Sequence, residues 1–201
     1  MFDDRFRRWL APILQGPADF LVRTGATANQ VTAGGFALAL GSAVAVAAGR
    51  PALGMTIWIA SRLLDGLDGA VARRAGVTSG LGGFLDITLD MAAYSLMVVA
   101  FAIRHPAHQL QWLLILVGYV LCITTTAVLS SILEHRRALI AGNDRSLQFT
   151  AGFAEAGETT VVYVLLALFP GWAGPIALGW VLVLGATVIQ RITLARQLLN
   201  D

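Results

Sequence analysis

Long apolar stretches alternate with short arginine-bearing segments along most of the 201-residue chain. Beyond residue 30, each apolar stretch is near the roughly 20 residues that a helix needs to cross the hydrocarbon core of a bilayer. We therefore predict an all-α integral membrane protein, with residues 1–201 forming one membrane domain and with six transmembrane helices. The predicted spans cover approximately residues 31–49, 51–73, 81–103, 109–133, 149–169 and 174–195.

The segment before the first span has a different pattern. Residues 2–22 combine charged side chains with apolar ones such as Phe6 and Leu10 at helical spacing. This pattern is typical of an amphipathic helix that lies in the membrane interface, and Gly16-Pro17 predicts a break in it. The segment lacks the long apolar core of a signal peptide, so we do not expect cleavage.

Small and aromatic residues predict how the spans pack and sit in the bilayer. Glycines such as Gly34 and Gly41 in the first span allow neighbouring helices to approach closely. Trp112, Trp172 and Trp180 are expected to anchor helices at the membrane interface.

Composition agrees with a membrane protein, because 57% of residues are hydrophobic and only 13% are charged. The formal net charge of +2 is too small to indicate nucleic-acid binding. The one cysteine excludes a disulfide within the chain.

Arginine supplies every basic charge, and its distribution predicts the orientation of the chain. If the N-terminus is cytoplasmic, eleven arginines lie in cytoplasmic segments, whereas only Arg50 and Arg104 lie on the opposite side. Arg62 falls inside the second span. We therefore expect both termini in the cytoplasm. We also expect a bacterial or archaeal inner membrane as the location.

Four aspartates lie on the second and third spans, close to their predicted cytoplasmic ends. Asp65 and Asp68 are three residues apart and Asp86 and Asp90 are four apart, so each pair shares one helix face. Buried carboxylates are costly unless their charge is offset, which makes them a candidate functional site.

Carboxylate oxygens without histidine or cysteine favour Mg²⁺ or Mn²⁺ as the bound metal. Two such ions shared by the aspartates could clamp a diphosphate and stabilise a departing nucleotide phosphate. Asp90, which lies deepest on its helix, is our candidate for a general base toward an attacking hydroxyl.

The sequence leaves three other interpretations of the acidic stretch open. Arg62, Arg73 and Arg74 could neutralise the acids in a purely structural helix pair. The chain could be an intramembrane prenyltransferase acting on a prenyl diphosphate, although it has only one aspartate-rich cluster. It could also be a metal-ion transporter with a carboxylate-lined site, although such acids are expected nearer the middle of the bilayer.

The same residues carry a resemblance to a known family. The pattern Asp-x-x-Asp-Gly-x-x-Ala-Arg, eight further residues and then Gly-x-x-x-Asp-x-x-x-Asp resembles the signature of the CDP-alcohol phosphotransferases. All eight fixed positions are filled: Asp65, Asp68, Gly69, Ala72, Arg73, Gly82, Asp86 and Asp90.

The resemblance implies a homodimeric six-helix enzyme whose site opens to the cytoplasmic leaflet. It implies transfer of a substituted phosphate from CDP-diacylglycerol, or a similar CDP-alcohol, to an alcohol acceptor, with release of CMP. By this likeness Asp65, Asp68 and Asp86 hold the metals, and Asp90 completes the site and acts as base. The CDP donor would be bound by Asn29, Thr32, Asp65, Gly69, Ala72, Arg73 and Gly82, although Asn29 could instead be an ordinary helix cap.

Acids and arginines outside the signature are candidates for the acceptor site. Glu155 and Glu158 lie near the start of the fifth span, where they could bind acceptor hydroxyls or pair with Arg145 or Arg191 for packing. The two arginines could also bind a phosphorylated acceptor. The sequence leaves open whether the acceptor is a small alcohol or a phosphorylated one.

Overall fold

The structure is a computed structural model that describes residues 2–76, 79–140 and 156–199, with side chains described for 13–76, 79–136 and 156–199. The described chain is helical, with two short 3₁₀ turns at Pro106–His108 and Pro170–Trp172. Its α-helices are α1 (Phe2–Arg23), α2 (Ala28–Ala47), α3 (Pro51–Ala75), α4 (Gly80–Arg104), α5 (Gln109–Ile140), α6 (Ala156–Leu168) and α7 (Ala173–Leu199).

Four stretches of the described chain are long and apolar enough to cross a membrane, and they contain α2, α4, α5 and α7. Helix α3 has 25 residues, but the charged residues from Arg62 to Asp68 lower its hydropathy. Helix α6 has 13 described residues, and residues 149–155 of the predicted fifth span lie outside the described chain. The bounds of α2, α3, α4 and α7 lie within four residues of the predicted spans, whereas α5 continues seven residues past the predicted end at 133.

The break predicted at Gly16-Pro17 is wrong, because α1 continues through both residues. Proline removes one helical hydrogen bond, and packing can offset that loss. Ala18 follows directly and is fully buried in a small cluster with Leu67 and Val71 of α3. Tertiary contact therefore holds this turn of α1 in place.

Small residues bring α2 against α3. The Ser61 hydroxyl donates a hydrogen bond to the Gly35 carbonyl at 2.8 Å, and the Ser42 hydroxyl donates to the Gly54 carbonyl at 2.7 Å. A Cβ added at Gly54 would lie 2.5 Å from a methyl carbon of Val46. Because real side chains do not approach so closely, glycine is required there for this helix contact.

Some residues expected at contacts lie elsewhere. Nothing described lies within 4 Å of a Cβ placed on Gly41, and Gly34 meets only the end of a leucine side chain at 3.9 Å. Trp112 and Trp180 are buried, so the prediction of interfacial anchors is wrong for both, whereas Trp172 is exposed. In α2, the helix face that packs against α3 is therefore rotated by one residue from the predicted face.

An aromatic core joins the helices beneath the acidic stretch. It consists of Trp58, Tyr94, Tyr119, Tyr163 and Trp180, all of them buried. The Trp180 indole donates to the Tyr119 hydroxyl at 3.2 Å, and the Tyr163 hydroxyl donates to the Tyr94 carbonyl at 3.0 Å. The hydroxyls of Tyr119 and Tyr163 are 2.9 Å apart. Since the single proton of Tyr163 is already donated, Tyr119 must donate to Tyr163.

Candidate functional site

Three of the four predicted aspartates converge between α3 and α4. Asp65, Asp68 and Asp86 each present a carboxylate oxygen, and these atoms lie within 4.8 Å of one another. We refer to these three residues as the carboxylate cluster. The convergence follows from the helical spacing of Asp65 and Asp68 and from the packing of both helices against α2.

Asp90 lies outside this group of three and contacts Arg62, one of the arginines considered in the sequence analysis as partners of the acids. Its Oδ1 accepts a close hydrogen bond from Nη1 of Arg62. The same Nη1 lies 3.8 Å from Oδ1 of Asp65. Arg62 therefore bridges the cluster and the predicted base, and the sequence signal for its role was an arginine inside a membrane span.

The two other arginines near the acids have different neighbours. Arg74 forms an ion pair with Asp19 of α1, with an Nη2–Oδ2 distance of 2.7 Å. This pair lowers the pKa of the Asp19 carboxyl, first through the hydrogen bond from Arg74. The Nη1 of Arg73 lies 3.2 Å from the position of a Cβ on Gly69. Arg62 forms ion pairs with two of the motif aspartates, Asp65 and Asp90.

Helix α2 contributes a polar side chain to the cluster. The Thr32 hydroxyl donates to Oδ2 of Asp68 at 2.6 Å, and Asp68 is buried. The carbonyl of Ala28 is a second acceptor 3.0 Å from the same hydroxyl. Because a hydroxyl has one proton, the carboxylate and the carbonyl compete for it. Thr32 thus contacts Asp68, a predicted metal ligand. The sequence predicted Thr32 to bind the CDP donor.

Asn29 is not the N-cap of α2. Thr27 is the cap, with a reciprocal pair of hydrogen bonds to Gln30. The Oδ1 of Asn29 lies 3.2 Å from the position of a Cβ on Gly82, and Oγ of Ser79 lies 3.1 Å from it. Gly82 thus lets α4 begin next to α2, and a Cβ there would require the side chains of Asn29 and Ser79 to shift by a few tenths of an ångström. Ser79 caps α4 and was missed by the sequence prediction.

The predicted acceptor residues are placed differently. Arg145 and Glu155 lie outside the described residues. Arg191 is buried and donates to the Cys122 carbonyl of α5 at 2.7 Å. Glu158 begins α6, and its Oε2 is buried without a hydrogen-bond partner in the described chain. No described contact joins Glu158 to Arg191 or to the carboxylate cluster.

The residues of the cluster fit a divalent metal ion. Three like charges held within 4.8 Å repel one another and require a cation or protons. Oxygen-only ligands are those that Mg²⁺ and Mn²⁺ prefer. Asp65, Asp68 and Asp86 would hold such an ion.

Comparison with known sequences agrees with this chemistry. The sequence model of the CDP-alcohol phosphatidyltransferase family matches residues 26–192. Inner membrane protein YnjF of Escherichia coli (strain K12) is 32% identical over 176 residues, which cover 86% of this chain and 84% of that protein. The archaetidylinositol phosphate synthase of Pyrococcus horikoshii is 29% identical over 181 residues, which cover 90% of this chain and 89% of that protein.

The fold is similar to that of the phosphatidylinositol phosphate synthase PgsA1 of Mycobacterium tuberculosis. The structure with CDP-DAG bound superposes with a TM-score of 0.65 at 24% identity, covering 92% of this chain and 94% of that chain. The structure in complex with manganese and citrate has a TM-score of 0.66 at 22% identity, covering 90% and 88%. At this identity the likeness shows a shared fold.

The apolar helices and the inner-membrane relative together identify a membrane protein. The family match covers most of the chain and includes all four motif aspartates. This chain belongs to the CDP-alcohol phosphatidyltransferase family of enzymes.

Proposed function

We propose that the protein transfers a phosphatidyl group from CDP-diacylglycerol to an alcohol, releases CMP and depends on Mg²⁺ or Mn²⁺. The reaction would serve phospholipid biosynthesis. The carboxylate cluster carries the proposal, because three converging acids beside a fourth fit a site for a diphosphate bound through metal ions. A related fold with CDP-DAG bound supports the choice of donor.

The three cluster residues, Asp65, Asp68 and Asp86, would hold two ions, with Asp90 completing the site. Bound divalent ions would polarise the phosphorus and stabilise the leaving phosphate. The complex of PgsA1 with manganese supports this ion as a candidate.

Six further residues would bind or line the CDP moiety. Arg73 would contact a donor phosphate, because its guanidinium lies over Gly69, where no side chain intervenes. Ala72 and Gly82 would leave room for the nucleotide. Asn29 and Thr32 would reach the donor from α2, Thr32 through its contact with Asp68.

Asp90 would remove the proton from the acceptor hydroxyl. The hydroxyl oxygen then forms a bond to the phosphorus that carries diacylglycerol, and the bond from that phosphorus to the CMP oxygen breaks. CMP leaves with the electron pair, and the proton remains on Asp90 until solvent accepts it.

We propose a phosphorylated polyol as the acceptor. Relatives named archaetidylinositol phosphate synthases and the fold of a phosphatidylinositol phosphate synthase support this class. Arg145, Glu155, Glu158 and Arg191 stay our candidates for binding it. Six spans, cytoplasmic termini, a site at the cytoplasmic leaflet and a homodimer complete the proposal.

Release of CMP tests the reaction class. Purified protein in liposomes would receive CDP-diacylglycerol, Mn²⁺ or Mg²⁺, and a panel of alcohols and phosphorylated alcohols. CMP that appears only with an acceptor supports the proposal. Release of inorganic diphosphate from a prenyl diphosphate would instead indicate a prenyltransferase, and metal flux without CMP would indicate a transporter.

Substitution of the proposed base gives the first mutational prediction. Asp90→Asn should lower turnover by about 10² to 10⁴-fold while CDP-donor binding is retained, because a carboxamide cannot accept the proton. Asp19→Asn is the matched control, since Asp19 pairs with Arg74 outside the cluster. Equal losses of turnover and donor binding in Asp90→Asn would show that Asp90 acts mainly as a ligand.

A further inference from the structure

Arg62 is an arginine in the interior of α3, one helical turn before the first cluster residue. Its side chain is only 15% exposed. A buried arginine is costly within a membrane, and its presence there calls for a partner and a role. The proposed mechanism uses the aspartates around Arg62 but gives the arginine itself no task.

The guanidinium of Arg62 is held from several sides. Its Cζ lies 4.6 Å from the ring centroid of Trp58 and 5.2 Å from that of Tyr94, both cation–π contacts. Its Nη2 lies 3.2 Å from the hydroxyl of Ser61. Trp58 and Tyr94 are themselves fixed in the aromatic core. The guanidinium of Arg62 therefore has aromatic rings and a hydroxyl as neighbours in addition to the carboxylates.

This cation contacts one aspartate inside the carboxylate cluster and the one aspartate of the motif outside it. Nη1 of Arg62 contacts Asp90 closely and Asp65 at 3.8 Å. A carboxylate oxygen that accepts a hydrogen bond from a guanidinium has less capacity to ligate a metal. Without Arg62, the nearest way for Asp90 to offset its charge would be to share the cation of the cluster.

We propose that Arg62 is a positioning residue that competes with the divalent cation for Asp90 and so keeps Asp90 available as the base. The proposal rests on the proposed function for the role of Asp90. It predicts that loss of the arginine raises Mn²⁺ affinity, because a ligand for the metal is freed. It also predicts that turnover falls, because the base is no longer held in position.

Arg62→Gln tests both quantities. Mn²⁺ affinity, measured on purified protein by electron paramagnetic resonance of the free ion, should increase roughly tenfold, because a nearby positive charge is lost and a carboxylate gained. Turnover should fall by about a hundredfold. Arg62→Lys keeps the charge, so its Mn²⁺ affinity should stay near that of the wild type. Arg104→Gln, at the other end of α4, is the matched control and should change neither quantity.

A second pair of variants isolates the route through Asp90. If Arg62 acts by holding that residue, adding Arg62→Gln to Asp90→Asn should give a clearly smaller gain in Mn²⁺ affinity than Arg62→Gln gives in the wild-type background, because no carboxylate is freed. A gain as large as in the wild-type background would overturn the proposal, since Arg62 would then only repel the metal. If Arg62→Gln lowered both the Mn²⁺ affinity and the melting temperature, that result would also overturn the proposal.

The metal-binding measurements do not depend on identifying the reaction. If the wild-type protein released no CMP with any acceptor, the proposed function would fail, while the Mn²⁺ comparison would still decide whether Arg62 restrains Asp90. If the wild type is active and Arg62→Gln keeps its turnover, the proposed function stands and the role of Arg62 is wrong.

Discussion

The carboxylate cluster and the aromatic core lie on either side of Arg62 and solve opposite problems. In the core, the indole and hydroxyl donors from Trp180 through Tyr163 each have an acceptor. In the cluster, three groups of the same charge lie within 4.8 Å. One region uses its polar groups to stabilise the fold, and the other holds them at a cost that a bound cation can offset.

The largest expected effect separates activity from stability within the cluster. Asp65→Asn should lower turnover by about 10² to 10³-fold, because a metal ligand is lost. It should also raise the melting temperature in metal-free buffer, because one of three repelling charges is removed. Turnover assays and thermal unfolding in detergent measure the two effects. A lower melting temperature without metal would contradict the view that the cluster is a strained site.

The aromatic core should show the reverse behaviour. Tyr163→Phe leaves the buried hydroxyl of Tyr119 without its acceptor, which should cost about 1 to 2 kcal/mol of unfolding free energy. Turnover should change little, since the ring that packs against Trp58 remains. Thr56→Val removes an exposed hydroxyl from α3 and serves as the control. A large loss of turnover without a loss of unfolding free energy would show that the two regions are coupled.

The smallest effect concerns the link between α1 and α3. The pKa of Asp19 is lowered from its ordinary value of 3.8 by Arg74, so the folded state binds its proton more weakly than the unfolded state. The stabilising contribution of the pair is complete above that ordinary value and is lost as the pH falls through the lower folded value. Asp19→Asn should therefore weaken the decline of melting temperature between about pH 5 and pH 2. An unchanged acid profile would contradict this contribution.

Much of the fold could be predicted because a bilayer imposes a length on apolar helices. The ends of α3 and α4 lie within two residues of the predicted spans. The register of α2 could not be predicted, since Gly34 and Gly35 differ only in which one faces Ser61. The continuity of α1 depends on packing around Ala18, which local propensity does not contain.

The sequence indicated which residues form the candidate site but not all of the contacts between them. All four motif aspartates were expected to share one site, and the structure brings three of them within 4.8 Å of one another. The ion pair of Asp90 with Arg62 depends on how α3 and α4 face each other, and a spacing rule within one helix cannot supply that. The sequence marked Arg62 as an arginine within a span, but only the fold indicates which acid it contacts.

The tyrosine chain beneath the site also limits where a proton can travel. A relay along hydroxyl groups needs an end that releases a proton and an end that takes one up. Here the chain starts at the indole of Trp180, which only donates, and ends at the amide carbonyl of Tyr94. Neither end can both take up and release a proton, so this chain of hydroxyl groups does not form a proton-relay path through the core. In the proposed reaction, the proton taken up by Asp90 would therefore not leave along this chain of hydroxyl groups.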